Sequence, residues 1–162
     1  MKRIIIGLLI VTLLLLLGCT GQEKIEGVST DAAIEAQTFN LINQARIEEG
    51  LPELTLDPAL YEIALEYCEE MYQEEVLTHD GFESRADSVR SNGYTLIGEN
   101  LARGFDSPEA LVEAWLLSPL HQDNILNPLF FYTGLACYNG YICQIFGGYD
   151  LAPFIYPLGL WP

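Results

Sequence analysis

The chain has 162 residues, 50% of them hydrophobic, and carries 23 Asp and Glu against 7 Lys and Arg, a formal charge of -16. One hydrophobic core accounts for that length, and the charge excludes both a general nucleic-acid binder, which needs a basic footprint on phosphates, and a polybasic membrane-surface role. An aromatic content of 11% with dense aliphatic runs exceeds what a disordered acidic chain carries, so an acidic folded domain is expected.

Lys2 and Arg3 precede an almost uninterrupted apolar run from Ile4 to Leu17, the size of a signal-peptide core and too short for a comfortable membrane span. The run closes on Leu16-Leu17-Gly18-Cys19, which resembles a bacterial lipoprotein signal in which Cys19 is acylated and becomes the first mature residue. The plain alternative is a simple signal peptide or anchor with an incidental cysteine, but Cys19 stands where acylation requires it. Residues 1–18 are therefore expected to be an export signal, 19–30 a polar tether and 31–162 the folded domain, attached to the membrane through lipid at the cell surface or outer membrane. Cleavage would remove two of the bases, Lys2 and Arg3, leaving 144 residues with 5 basic against 23 acidic side chains, a net of -18.

Ser29 or Thr30 can cap a helix over 31–49, in which Ile34, Thr38, Leu41, Ile42 and Ala45 recur at three and four residues before Gly50. Asp57-Pro58 supplies a cap and a proline at the first helical position. Leu60, Ile63, Ala64, Tyr67, Cys68 and Met71 then form the apolar stripe of a second helix over 58–73. From His79 to Glu99 the chain is rich in Gly, Asp and Ser, carries Arg85 and Arg90, and reads as a loop with at most a short helix near 84–91. Ser107-Pro108-Glu109 opens another helix through Leu111, Val112 and Trp115; Ser118-Pro119 breaks it, and a short helical turn follows, ended by Asn127-Pro128.

The period then changes. Residues 132–138 and 141–149 read as strands joined by Asn139-Gly140, a strong two-residue hairpin signal. Helices followed by a hairpin suggest one α+β layered domain. With a two-residue loop, Tyr138 faces Tyr141, Cys137 faces Ile142 and Ala136 faces Cys143, so Cys137 and Cys143 leave opposite sides of the sheet and do not pair with each other. Two readings remain: one of them bridges Cys68, or all three are small buried hydrophobes.

The two histidines, His79 and His121, lie in polar, turn-rich surroundings, and Glu99 sits in Gly98-Glu99-Asn100 between Ile97 and Leu101, a carboxylate near a buried edge. Two imidazoles and a carboxylate suit zinc or another borderline divalent metal with an open position. The intervals of 20 and 22 residues between them match no local zinc motif, and the chain has no H-E-x-x-H, G-x-S-x-G or phosphate-binding glycine loop.

Longer blocks carry a resemblance. They are Leu41-Ile42-Asn43-Gln44-Ala45-Arg46 with Gly50-Leu51-Pro52-Glu53-Leu54, Thr78-His79-Asp80-Gly81, Gly98-Glu99-Asn100-Leu101-Ala102, Trp115-Leu116-Leu117-Ser118-Pro119-Leu120-His121 with Asn124-Ile125-Leu126, and Phe146-Gly147-Gly148. In order and spacing, over roughly residues 37–149, they resemble a bacterial member of the CAP superfamily, the SCP-like extracellular domains related to cysteine-rich secretory proteins, venom antigen five and plant pathogenesis-related protein one. The resemblance implies an α-β-α sandwich with a central antiparallel sheet and a cleft holding His79, Glu99 and His121, with Ser118 where eukaryotic relatives carry a further glutamate. Glu113, two residues before Trp115, should point elsewhere on a helix and is a poor substitute. It also implies that His79 and His121 hold a divalent metal such as zinc, with Glu99 as an outer acceptor that orients an imidazole or a metal-bound water and need not itself ligate.

Arg46 is expected to pair with a local carboxylate rather than to serve as a cation in the cleft; Asn43 and Asn100 close loops, Trp115 is core, and Asn124 braces the segment near His121. Three functional readings follow. The first is a non-enzymatic surface lipoprotein whose cleft binds a metal and a lipid, sterol, glycan or protein ligand. The second is a metal-assisted hydrolase or peptidase in which Glu99 activates water, and the third is a scaffold with a vestigial cleft. Ser118 has no evident base that would make it a nucleophile, and the first reading is preferred.

Overall fold

The computed structural model describes residues 30–150, in the order α1 (Thr30–Glu48), β1 (Thr55–Leu56), α2 (Pro58–Glu74), α3 (Phe82–Ser91), β2 (Leu96–Arg103), α4 (Pro108–Leu117), α5 (Pro119–Ile125), β3 (Phe130–Tyr138) and β4 (Tyr141–Gly148). The expected export signal, the Cys19 lipid site, the tether up to residue 29, the Ser29 cap and the last twelve residues of the expected domain lie outside the described residues.

Local chemistry sets the helix ends. The Asp57 carboxylate accepts from the backbone N–H groups of Ala59 (2.8 Å) and Leu60 (3.0 Å), with Pro58 occupying the first turn of α2. Its second oxygen accepts from the Tyr94 hydroxyl at 2.8 Å, so the same side chain ties α2 to the segment entering β2. Ser107 caps α4 by accepting from the Ala110 N–H at 3.2 Å. At the hairpin, Asn139 (φ 48°) and Gly140 (φ 80°) both take left-handed conformations, as a type I′ turn demands. The register follows: Tyr138 opposes Tyr141, Cys137 opposes Ile142 and Ala136 opposes Cys143.

The strands lie in the order β1-β3-β4-β2, antiparallel except that the two-residue β1 runs parallel to β3. Alternation along the strands builds two cores. Ala102, Leu135, Cys137, Ile142 and Phe146 meet α1, α4 and α5, whose Ile42, Leu111, Val112, Trp115 and Ile125 are buried against them. On the opposite face Leu101, Ala136, Tyr141, Cys143 and Ile145 meet Leu60, Ala64, Tyr67, Cys68 and Met71 of α2 and Val89 of α3. The result is an α-β-α sandwich. Cys68, Cys137 and Cys143 are buried thiols with no disulfide among them, and Cys137 lies in a different core from the other two. Burial pushes the thiols of Cys68 and Cys143 well above the ordinary cysteine value, which keeps both unreactive.

Two expectations need correction. The stretch from His79 to Glu99 is not mainly loop, since it holds the whole of α3 and the first half of β2. Gly98-Glu99-Asn100 has little intrinsic preference for a strand, and pairing with β4 along all eight residues from Leu96 to Arg103 overrides it. Arg46 is neither a cleft cation nor the partner of a carboxylate. It is fully buried, and its guanidinium donates to the carbonyls of Pro52 (2.9 Å), Ile125 (2.6 Å), Asn127 (3.0 Å) and Phe130 (3.0 Å). The end of α5 leaves carbonyls without intrahelical donors, and the Arg46 fork supplies them.

Gly134 shows how tightly α2 sits on the sheet. A Cβ at this position would lie 2.1 Å from the carbonyl carbon of Leu60 and 2.2 Å from the nitrogen of Tyr61, both backbone atoms that cannot step aside. Gly134→Ala is therefore expected to cost roughly 3 kcal/mol or more. Gly104→Ala, at a left-handed position (φ +75°) with open space around it, should cost only about 1 kcal/mol. Urea denaturation of the two variants measures the difference, and equal losses would contradict this account of the α2 contact.

Candidate functional site

β2 is an edge strand of the sheet, and the site is built across it. Glu99 lies on the α2 and α3 side together with Ile97 and Leu101, whereas Asn100 turns to the α5 side. Glu99 is buried, with 6% exposure. Arg85 grips it with two parallel hydrogen bonds, from Nε to Oε2 at 2.7 Å and from Nη2 to Oε1 at 2.8 Å, the bidentate arrangement that makes an arginine and carboxylate pair strong. His79 Nδ1 lies 2.8 Å from Glu99 Oε1. Because the carboxylate accepts, Nδ1 carries the proton and Nε2 of the neutral ring keeps its lone pair.

The segment presenting His79 is pinned from below. Arg85 Nη1 donates to the Asp80 carbonyl at 2.8 Å, and the guanidinium stacks on the Tyr67 ring, 3.2 Å from its centre. The Tyr67 hydroxyl donates to the carbonyls of Thr78 and Asp80. Burial pushes that hydroxyl up to about 12, so it remains a donor. Burial alone would lower the Arg85 pKa, but the hydrogen bonds and charge of Glu99 outweigh it and the net shift is upward. The His79 side chain itself stays 57% exposed.

The other wall is α5. His121 is half-buried, with its ring 6.2 Å from that of Trp115. Burial and then the neighbouring His79 lower its pKa below the ordinary 6.5, which favours the neutral imidazole. Its backbone carbonyl accepts from Asn100 Nδ2 at 3.2 Å. Asn124 Nδ2 donates to Asn100 Oδ1 (2.9 Å) and to the Glu99 carbonyl (3.2 Å), and Trp115 Nε1 donates to the Leu101 carbonyl (3.2 Å). These side chains bind α4 and α5 to β2 and occupy acceptors that an edge strand otherwise offers to a foreign strand.

The structure thus brings His79 and Glu99 into contact and sets His121 within electrostatic reach of His79. Ser118 is half-buried where α4 hands over to α5. Its N–H donates to the Trp115 carbonyl at 3.2 Å and its carbonyl accepts from Gln122 at 2.8 Å. Among the described residues no hydrogen bond links its hydroxyl to the Glu99 group, and no set of three or more His, Cys, Asp or Glu side chains is placed to share a metal ion. Reading the sequence missed Arg85 and Tyr67 as parts of the site. The available signal was an arginine six residues beyond His79 in a chain with only 7 basic residues.

A sandwich whose edge strand gathers two histidines and a carboxylate between helical layers defines a CAP-type domain. Residues 39–145 match the Cysteine-rich secretory protein family, and the chain belongs to that CAP family. It is 34% identical over 112 residues to YkwD, an uncharacterized protein of Bacillus subtilis, covering 67% of this chain and 44% of that one. Its fold is similar to that of an extracellular SCP-domain protein from Bacillus anthracis, with a TM-score of 0.67 and 27% identity over 73% of this chain and 41% of the other. It is also similar to that of a cysteine-rich secretory protein from Staphylococcus aureus, with a TM-score of 0.68 and 21% identity over 75% and 40% of the two chains. The chain therefore spans under half the length of these relatives.

The geometry separates stability from exposure. Arg85→Ala would strand a buried carboxylate and is expected to cost roughly 3 kcal/mol. His79→Ala removes a side chain that is 57% exposed and should cost under about 1 kcal/mol. Chemical denaturation of both variants checks the order, and a larger loss for His79→Ala would reverse the roles assigned here.

Proposed function

We propose that the protein is an exported, lipid-anchored CAP-domain protein whose cleft binds a divalent metal such as zinc through His79 and His121 and acts by binding rather than by catalysis. The observation that carries this reading is the chain Arg85, Glu99, His79: the arginine fixes the carboxylate, the carboxylate fixes the imidazole tautomer, and Nε2 is left as a donor atom. The depressed His121 pKa supports it from the other side, because a metal takes a neutral imidazole and must displace a proton from a charged one. The residues present fit such an ion as a pair of nitrogen donors with a carboxylate behind them. A bound zinc ion would leave coordination positions open for a donor atom of a lipid, sterol, glycan or protein ligand.

Hydrolysis is the weaker reading, because the buried Glu99 carboxylate already accepts three hydrogen bonds from Arg85 and His79, which leaves little of it open to an incoming water. The outward location rests on the apolar run before Cys19 and on the similarity to the Bacillus anthracis protein, which is described as extracellular.

Calorimetric titration with zinc is expected to give one saturable site. His79→Ala and His121→Ala should each abolish it, and Glu99→Gln should weaken it by roughly 10- to 100-fold. Absence of saturable binding, or binding indifferent to both histidine changes, would leave the cleft a structural scaffold. For the anchor, Cys19→Ser should abolish incorporation of radiolabelled fatty acid in a bacterial host and shift the chain from the membrane to the soluble fraction; labelling that survives the change would remove Cys19 as the attachment point.

A further inference from the structure

On the face away from the sheet, α1 and α4 leave between them a groove of about 330 Å³. Its floor is apolar, formed by Leu41 and Ala45 of α1 and by Val112 and Leu116 of α4, and Leu117 stands beside it 77% exposed. Its rim is acidic. Glu48 closes the α1 side, Glu109 and Glu113 close the α4 side, and all three are exposed. Glu48 accepts from the side-chain amide of Gln44 at 3.0 Å, and Glu109 from that of Gln37, both neutral donors.

No cation within the described residues balances this rim. Arg46 is spent on backbone carbonyls and Arg85 on Glu99; Arg90 pairs with Asp87 and Glu83, and Arg103 lies over the Tyr141 ring while donating to the Glu75 carbonyl. Uncompensated carboxylates around an apolar floor select an occupant that is apolar on one side and positively charged at its margins.

We propose that this groove is a docking site for a basic amphipathic helix of a partner protein, with its apolar residues seated between Leu41, Ala45, Val112 and Leu116 and its Lys or Arg residues over Glu48, Glu109 and Glu113. Charge complementarity chooses this occupant over the others. A fatty carboxylate would meet three like charges, and a second copy of this chain would bring a formal charge of -16 against the same rim. Residues 151–162, though apolar, contain no basic side chain to answer the glutamates. The groove runs from residue 41 to 48 on α1 and from 109 to 117 on α4, a length of about 10–12 Å at 1.5 Å per residue. That matches about two turns of a docked helix, which presents its anchors at three- and four-residue spacing.

The probe is a fluorescein-labelled synthetic helix of roughly 14 residues with leucines at that spacing and arginines flanking them. Two controls accompany it: a scrambled peptide of identical composition and one with glutamate in place of arginine. Fluorescence anisotropy with the full chain should give saturable binding of the patterned basic peptide alone. The affinity should fall by about tenfold in the triple variant Glu48→Gln, Glu109→Gln, Glu113→Gln, severalfold in Leu117→Ser, and further as salt rises from roughly 50 to 500 mM. All four changed side chains are exposed, so the fold is retained, and far-UV circular dichroism verifies it. His79→Ala should leave the peptide affinity unchanged, which separates this surface from the metal cleft. Equal binding of the scrambled peptide, tighter binding of the acidic one, or an affinity untouched by the glutamate and Leu117 changes would overturn the proposal. So would saturable binding of a fatty acid in the groove with no binding of the patterned peptide.

Discussion

The buried guanidinium of Arg46 ties together four chain segments by hydrogen bonds. Held in the last turn of α1, it reaches the carbonyl of Pro52 ahead of β1, those of Ile125 and Asn127 at the end of α5, and that of Phe130 at the start of β3. A charge withdrawn from water is costly unless its donors are satisfied, and here they are met by backbone dipoles in place of a counter-ion. Fixing the end of α5 in turn fixes where His121 and Asn124 stand relative to β2.

Arg85 handles the same constraint differently. It neutralises a buried carboxylate, stacks on Tyr67 and ties down the carbonyl of Asp80, so one side chain controls both the charge state of the cleft and the position of His79. The two arginines hold opposite walls of one site, Arg85 through α3 and Arg46 through α5, with the edge strand β2 between them. In a chain so rich in acid, each remaining base carries a large share of the local electrostatics.

Much of this was legible in the residues, for identifiable reasons. Asp57-Pro58 and Ser107-Pro108 act locally, and their helices begin where the caps stand. Asn139-Gly140 requires left-handed backbone at two successive positions, and from that the register of the hairpin and the opposite placement of Cys137 and Cys143 follow. His79, Glu99 and His121 were picked out by residue type and by family resemblance. Hidden features depend on distant partners. β2 exists because β4 pairs with it across 38 to 52 residues, against the preference of Gly98-Glu99-Asn100. The Arg46 acceptors are uncharged carbonyls up to 84 residues away, which no pattern of charges reveals. Arg85 meets Glu99 across 14 residues and a change from helix to strand, so periodicity within one element does not connect them.

The three thiols buried in the two cores have a bearing on how the protein is made. Since Cys68, Cys137 and Cys143 are all unbridged, the sandwich owes nothing to a covalent cross-link among its described residues and closes by packing and hydrogen bonds alone. Folding of the described residues therefore calls for no disulfide to be formed or reshuffled. That independence matters for a domain expected to be synthesised on one side of a membrane and to work on the other.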